Sequence, residues 1–242
     1  MTHPRLVRDD LVAALDAAWQ SLGHAGVWWT GAERLAIARE TRHARGCVLC
    51  ARRKAALSPA AVTGSHEACT DLAPAAVEAI HRLVADPGRL SRGWYEALLR
   101  DGLEDARYVE LLAVVAIATA VDTFDHALGH PLRPLAAARD GQPSRRRPPG
   151  AREGLAWMAT LAPEDVAADD PPLYAIAGRI GGNVQRSLSL VPEAMMAFWD
   201  MFECMYLPNA AMRDFGREYR AIDHAQIEML AARVAVLNRC TY

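Results

Sequence analysis

The stretch that most restricts the fold of this chain is Glu104 to Leu128, which contains no proline or glycine and is apolar on all sides in its middle. Such a stretch predicts one long helix, which Gly129 and Pro131 end. A helix that is apolar all round must be covered by other parts of the protein, so we expect it at the centre of the core. Its longest apolar run, Leu111 to Val121, is too short to span a bilayer.

Composition favours the all-α class, because alanine and leucine dominate, aromatic residues make up 7% and β-branched runs are few. Apolar spacing and capping residues predict further helices. These cover Leu6 to Leu22, Pro74 to Ala85, Ser91 to Leu99, Leu173 to Leu190, Pro192 to Tyr206 and Asp223 to Arg239.

The domain organisation is predicted from a change of composition between Pro131 and Arg152, where proline, glycine and arginine accumulate. We expect an extended linker at 131–152 between a helical half at 1–130 and a second at 153–242. Two elements favour similar halves. Thr30-x-x-Glu33 and Asp223-x-x-Gln226 lie at the same distance before a cysteine, which is a weak internal repeat.

Charge and cysteine content limit the partners and the compartment. The formal net charge of −2 argues against a dedicated nucleic-acid binder, and no membrane partner is expected. Met1 to Asp10 is charged and lacks the apolar segment of a signal peptide. Five cysteines in such a chain fit a reducing cytoplasm, where a close pair is more often catalytic or metal-binding than structural.

The close pair is Cys47-x-x-Cys50, which follows a helix capped by Thr30 and Glu33 and a break at Gly46. We predict that the pair opens a second helix, near exposed N–H groups and the positive end of the helix dipole. Neighbouring cations such as Arg52 add to this effect. Both favour the thiolate, the reactive form in redox chemistry.

Longer stretches carry a family resemblance. Asn183 to Leu207 and Tyr108 to Gly129 resemble segments of the alkylhydroperoxidase D-like (carboxymuconolactone decarboxylase-like) family, and Glu228 lies twelve residues before Cys240, as in its motif. The resemblance implies an all-helical bundle, assembly into homo-oligomers, and reduction of small-molecule hydroperoxides by a dithiol that a thiol or protein reductant resets. It implies no bound cofactor.

The same resemblance implies the candidate catalytic residues. Its motif is a glutamate, eleven residues, Cys-x-x-Cys, and a histidine four residues later. Leu35 and Lys54 occupy the glutamate and histidine positions around the first pair, where Glu33 or Glu40 are possible substitutes. After Cys240 the printed sequence has no second cysteine or histidine. The candidates are Cys47, Cys50, Glu228, Cys240 and Glu33.

Two other interpretations stay open. Cys47, Cys50, His66 and Cys69 have a spacing compatible with a structural Cys3His zinc site. The surrounding arginines disfavour a dication, and the family resemblance includes no zinc. Alternatively, the cysteines are inert and the chain is a helical oligomer with a binding or structural role.

Overall fold

The computed structural model describes residues 7–175, 179–238 and 240. Its described residues form nine α-helices and no strand, which confirms the all-α class. The helices are α1 (Asp9–Ser21), α2 (Gly31–Ala44), α3 (Val48–Ala55), α4 (Pro74–Ala85), α5 (Arg92–Arg100), α6 (Asp105–Ala127), α7 (Asn183–Arg186), α8 (Pro192–Met205) and α9 (His224–Leu237). An isolated antiparallel bridge joins Arg152 and Thr160.

Helix α6 lies at the centre of the core, as its sequence predicts. It packs against α1, α2, α4 and α8, and its apolar side chains, such as Val109 and Val114, are completely buried. Helix α2 also packs against α4, and α3 lies on α4. Within the described ranges, no helix combines the length and hydropathy that crossing a membrane requires.

The helix starts follow the capping residues of the sequence. The Thr30 hydroxyl accepts a hydrogen bond from the Glu33 amide at 3.2 Å, while the Glu33 carboxylate accepts one from the Thr30 amide at 2.8 Å. This is the predicted capping box, and Asp223 forms another at the start of α9. Ser91 caps α5 through the Trp94 amide. Local polar groups therefore fix these boundaries.

The predicted helix over Leu173 to Leu190 is wrong for its described part, where α7 is the one helix and is only four residues long. The paired glycines Gly181 and Gly182 disfavour helix, because glycine loses more backbone entropy there than other residues. Gly181 has a φ of +73°, and a Cβ on it would come within 2.3 Å of the Pro163 ring. The chain needs a glycine there and turns instead of continuing.

The segment 131–152 has no helix and runs along the N-terminal half of the molecule. Its Arg139 and Arg145 amides donate hydrogen bonds to backbone carbonyls of the turn between α1 and α2, and Trp19 donates its indole N–H to the Pro134 carbonyl. Beyond it, α8 packs against both α1 and α6. The division into two similar halves stays a prediction.

Candidate functional site: a cysteine–histidine cluster

The Cys47–Cys50 pair lies where the sequence predicts it, at the start of a helix. Cys47 is the residue just before α3, and Cys50 is in its first turn. Because α3 packs on α4, Cys50 faces inward and is 3% exposed, whereas Cys47 is partly exposed. The two thiols therefore occupy different environments although they are one turn apart.

Two histidines complete the cluster. His66 comes from the irregular segment between α3 and α4, and its Nδ1 lies 3.4 Å from the Cys47 Sγ and 3.7 Å from the Cys50 Sγ. His81 comes from α4, and its Nδ1 lies 3.5 Å from the Cys50 Sγ. The two imidazole rings are neighbours, with centroids 4.1 Å apart. All four ligand-type atoms lie within 4.8 Å of one another.

A carboxylate stands behind each imidazole. His66 Nε2 lies 2.8 Å from a Glu78 carboxylate oxygen, and His81 Nε2 lies 2.9 Å from Glu40 Oε1. A carboxylate accepts a hydrogen bond, so each Nε2 carries the proton that it donates. The Nδ1 atoms are thereby turned toward the sulfurs, and in the neutral imidazole each presents a lone pair to them.

Cys47 and His66 favour a charged pair. Burial disfavours the Cys47 thiolate, but hydrogen bonds from His66 and Cys50 outweigh burial and lower the pKa of Cys47. Burial also opposes protonation of His66, while hydrogen bonds to Glu78 and Cys47 raise its pKa. The Glu78 pKa falls to about 2, because His66 and Arg53 hydrogen bonds overcome its burial. When all three are ionised, Glu78, His66 and Cys47 form a line of alternating charge, in which each charge favours its neighbour.

Cys50 and His81 have the opposite electrostatics. Burial and the neighbouring Cys47 raise the pKa of Cys50 to about 12, so its sulfur keeps the proton. Burial lowers the pKa of His81 despite its hydrogen bond to Glu40, which leaves the imidazole neutral. A neutral His81 with its proton on Nε2 has a lone pair on Nδ1 that can accept the Cys50 S–H.

Glu40 links this cluster to Cys69. The carboxylate is completely buried, and its Oε2 accepts hydrogen bonds from the Cys69 amide and from the Thr70 hydroxyl, at 3.1 and 2.7 Å. The Cys69 thiol donates to the same oxygen at 3.4 Å. Cys69 is exposed and lines a cavity of about 710 Å³.

The cluster is a Cys2His2 set that could hold a metal ion. Tetrahedral zinc has Zn–S bonds of about 2.3 Å and Zn–N bonds of about 2.0–2.1 Å, which put its sulfur and nitrogen ligands about 3.5 Å apart. The observed sulfur–nitrogen distances of 3.4, 3.5 and 3.7 Å match this spacing. The fourth member is His81, so the predicted quartet with Cys69 is corrected on this point.

The other sequence candidates lie elsewhere. Glu33 belongs to the α2 capping box and pairs with Arg107 at 3.3 Å. Glu228 accepts a hydrogen bond from the Tyr206 hydroxyl at 2.6 Å. Cys240 is exposed beyond α9. None of the three joins the cluster in the described residues, and a catalytic role for them stays a prediction.

Sequence reasoning missed His81 and Glu78 as site residues and named Glu40 only as a possible substitute for the family glutamate. Glu78 and His81 are three residues apart on α4, a spacing that puts two side chains on one helix face. An ionisable pair in a helix whose one other charged residue is Arg82 was the available signal. At the two positions where the family motif has its glutamate and histidine, this chain has Leu35, a buried core residue, and Lys54, which is exposed. The imidazoles of the cluster come from other parts of the chain.

Comparisons of the chain with protein-family models, with curated proteins and with solved structures found no match.

Proposed function

We propose that the chain is a thiol-dependent, peroxidase-like oxidoreductase that reduces hydroperoxides through the Cys47–Cys50 dithiol, as its resemblance to the alkylhydroperoxidase D-like family implies. One observation carries the proposal. Each sulfur contacts a histidine whose other ring nitrogen is bonded to a carboxylate. Such a pair can hold or release a proton beside a reacting sulfur.

Cys47 is the attacking thiol because it is the partly exposed one and lies against His66. Its thiolate attacks one oxygen of the hydroperoxide, and an S–O bond forms as the O–O bond breaks. The sulfur is oxidised to a sulfenic acid, and the alkoxide that leaves takes a proton from the His66 imidazolium. Glu78 stabilises that imidazolium before the transfer.

Cys50 is the resolving thiol. It transfers its proton to the His81 Nδ1, 3.5 Å away, and its sulfur attacks the Cys47 sulfur. A disulfide forms while the S–O bond breaks, and the hydroxide leaves as water after taking that proton. Two thiols of an external reductant then restore the pair by thiol–disulfide exchange. No step needs a bound cofactor, and the reducing cytoplasm predicted from the sequence would supply the thiols.

A thiol count tests the proposal on reduced, metal-free protein. One equivalent of cumene hydroperoxide should remove two thiols per chain from the wild type and from a Cys204→Ser control, because Cys204 lies outside the cluster. Cys47→Ser should keep its remaining thiols. Wild-type thiols that survive the peroxide, or a Cys47→Ser protein that is oxidised as fast as the wild type, would refute it.

A structural zinc centre is the second candidate, with the matching sulfur–nitrogen distances in its favour. The carboxylates also suit it, since histidines that bind zinc usually donate their other N–H to a carboxylate or carbonyl. This candidate predicts about one zinc per chain after purification without chelator. It also predicts that peroxide does not oxidise the cluster thiols, even after prolonged incubation.

Self-association remains part of the proposal. Helix α9 exposes a set of large apolar side chains, which a contact with another chain would cover. They are Met229, Leu230, Val234, Val236 and Leu237. Size measurement by light scattering over a range of protein concentrations tests it, and a monomer throughout would contradict it.

A further inference from the structure

We infer that the reduced site also binds one exchangeable Zn²⁺ through Cys47, Cys50, His66 and His81, and that a hydroperoxide expels the ion by oxidising its two sulfur ligands. The inference rests on the proposed function and adds a control to it. Zinc and peroxide would compete for the same two sulfurs, so bound zinc would slow the reaction with peroxide.

The donor set itself points to zinc. Two sulfurs and two imidazole nitrogens are ligands that zinc prefers, three sulfur–nitrogen distances among them have tetrahedral spacing, and both histidines present Nδ1 to the sulfurs. Glu40 and Glu78 fix those tautomers from behind. The four side chains are therefore already arranged for the ion, and little reorganisation opposes binding.

The location of the ligands explains why the ion would exchange. Cys47 is partly exposed, and His66 lies on an irregular segment instead of a helix. One of the four ligands is therefore reachable from the surface, while the His66 side chain is 5% exposed and Cys50 and His81 hold the inner side at 3% and 0% exposure. A structural zinc site usually has all its ligands protected.

The expulsion step balances. One hydroperoxide and two protons react with the zinc-bound dithiolate to give the disulfide, one alcohol, one water and free Zn²⁺. The two sulfurs lose two electrons, which the O–O bond takes up as it breaks. A disulfide cannot supply two thiolate ligands. Of the four ligands only the two histidines then remain, and the ion dissociates.

Zinc and cobalt binding by the full chain test the site. Reduced, metal-stripped protein should take up one Zn²⁺ in competition with a chromophoric chelator, and Co²⁺ should give the absorption of a tetrahedral thiolate site. His66→Ala and His81→Ala should weaken binding at least about tenfold. Cys69→Ser should bind as the wild type does, because Cys69 bonds Glu40 and not the cluster. Circular dichroism verifies that each variant folds.

Peroxide treatment of the zinc-loaded protein tests the release. One equivalent of cumene hydroperoxide should free one zinc as two thiols disappear. No zinc binding, with thiols that peroxide still oxidises, overturns this inference and leaves the peroxidase proposal intact. Zinc that stays bound, with thiols inert even in the metal-free protein, overturns both. Binding lost in Cys69→Ser but kept in His81→Ala assigns the ion to other ligands and overturns the site.

Discussion

The two thiols of the cluster should differ sharply in reactivity toward an alkylating agent. The perturbation is a short pulse of iodoacetamide at neutral pH on reduced, metal-free protein. Cys47 should be modified first, because hydrogen bonds from His66 and Cys50 lower its pKa despite burial. Cys50 should stay unmodified, because burial and the Cys47 sulfur raise its pKa.

The magnitude follows from the two pKa values. The Cys50 pKa rises from 9.0 to about 12. This rise in pKa reduces the thiolate fraction of Cys50 about 1,000-fold relative to an ordinary thiol at neutral pH. A more basic thiolate is a better nucleophile, with a Brønsted slope of about 0.4–0.5, which restores up to about 1.5 of those three powers of ten. Cys50 should therefore react about 30-fold more slowly than an ordinary thiol, and more slowly still than Cys47.

Peptide mapping by tandem mass spectrometry measures this difference, since fragment ions separate the two cysteines within one peptide. Cys204 is the internal reference outside the cluster, and its pKa is raised mainly by burial. A Glu78→Gln variant should slow the modification of Cys47, because the His66 cation loses its carboxylate. Equal rates at Cys47 and Cys50 would refute the electrostatic assignment, and a faster Cys50 would also exchange the attacking and resolving roles.

Three further substitutions test the packing, with urea unfolding as the common measurement. Arg42→Ala removes a bidentate partner of the fully buried Asp122, which it contacts at 2.8 and 3.0 Å. We expect the free energy of unfolding to fall by about 3 kcal/mol, which is at the low end for buried pairs because Arg45 still lies 3.6 Å from Asp122. Thr30→Ala removes the capping box of α2 and should cost about 1 kcal/mol. Glu40→Gln should cost about 1–3 kcal/mol, because one of the buried donors around it loses its acceptor.

Two of the three substitutions have a matched control. Arg92→Ala breaks an exposed ion pair and should change stability by less than about 0.5 kcal/mol, so an equal loss in Arg42→Ala would contradict the role given to burial. Thr30→Ser keeps the capping oxygen and should retain most of the stability. Glu40→Gln also has a chemical measurement. Burial and Glu40 together raise the pKa of the Cys69 thiol, so the variant should alkylate faster there.

The parts of the fold that short stretches determine were predictable. Thr30 and Asp223 begin helices through bonds to residues three positions away, and an unbroken apolar stretch identifies α6. The prediction of a helix over Leu173 to Leu190 was wrong because it gave more weight to the apolar periodicity than to the Gly181–Gly182 pair. The need for glycine at 181 comes partly from the Pro163 ring, which is distant in sequence and which local patterns do not reveal.

The candidate site was predictable only in its local part. Neighbouring residues alone were enough to predict the Cys47–Cys50 pair and its position at the start of a helix. His81 lies 31 residues beyond Cys50, and no local sequence pattern predicts that α4 brings the two side chains together. The packing of α3 on α4 makes that contact, as the packing of α2 on α4 brings Glu40 to His81. Sequence spacing therefore selected Cys69, which is closer in sequence to His66.

The arrangement of α8 determines how this chain can be divided. A gene shortened to end near Pro131 would encode α1 and α6 without the helix that covers them, and apolar side chains that α8 shields in the whole protein would face water. The same cut would leave the Trp19 indole without the Pro134 carbonyl that it bonds. Studies of the cysteines in isolation from the second half would therefore begin with a damaged core, although every cluster residue lies before the cut.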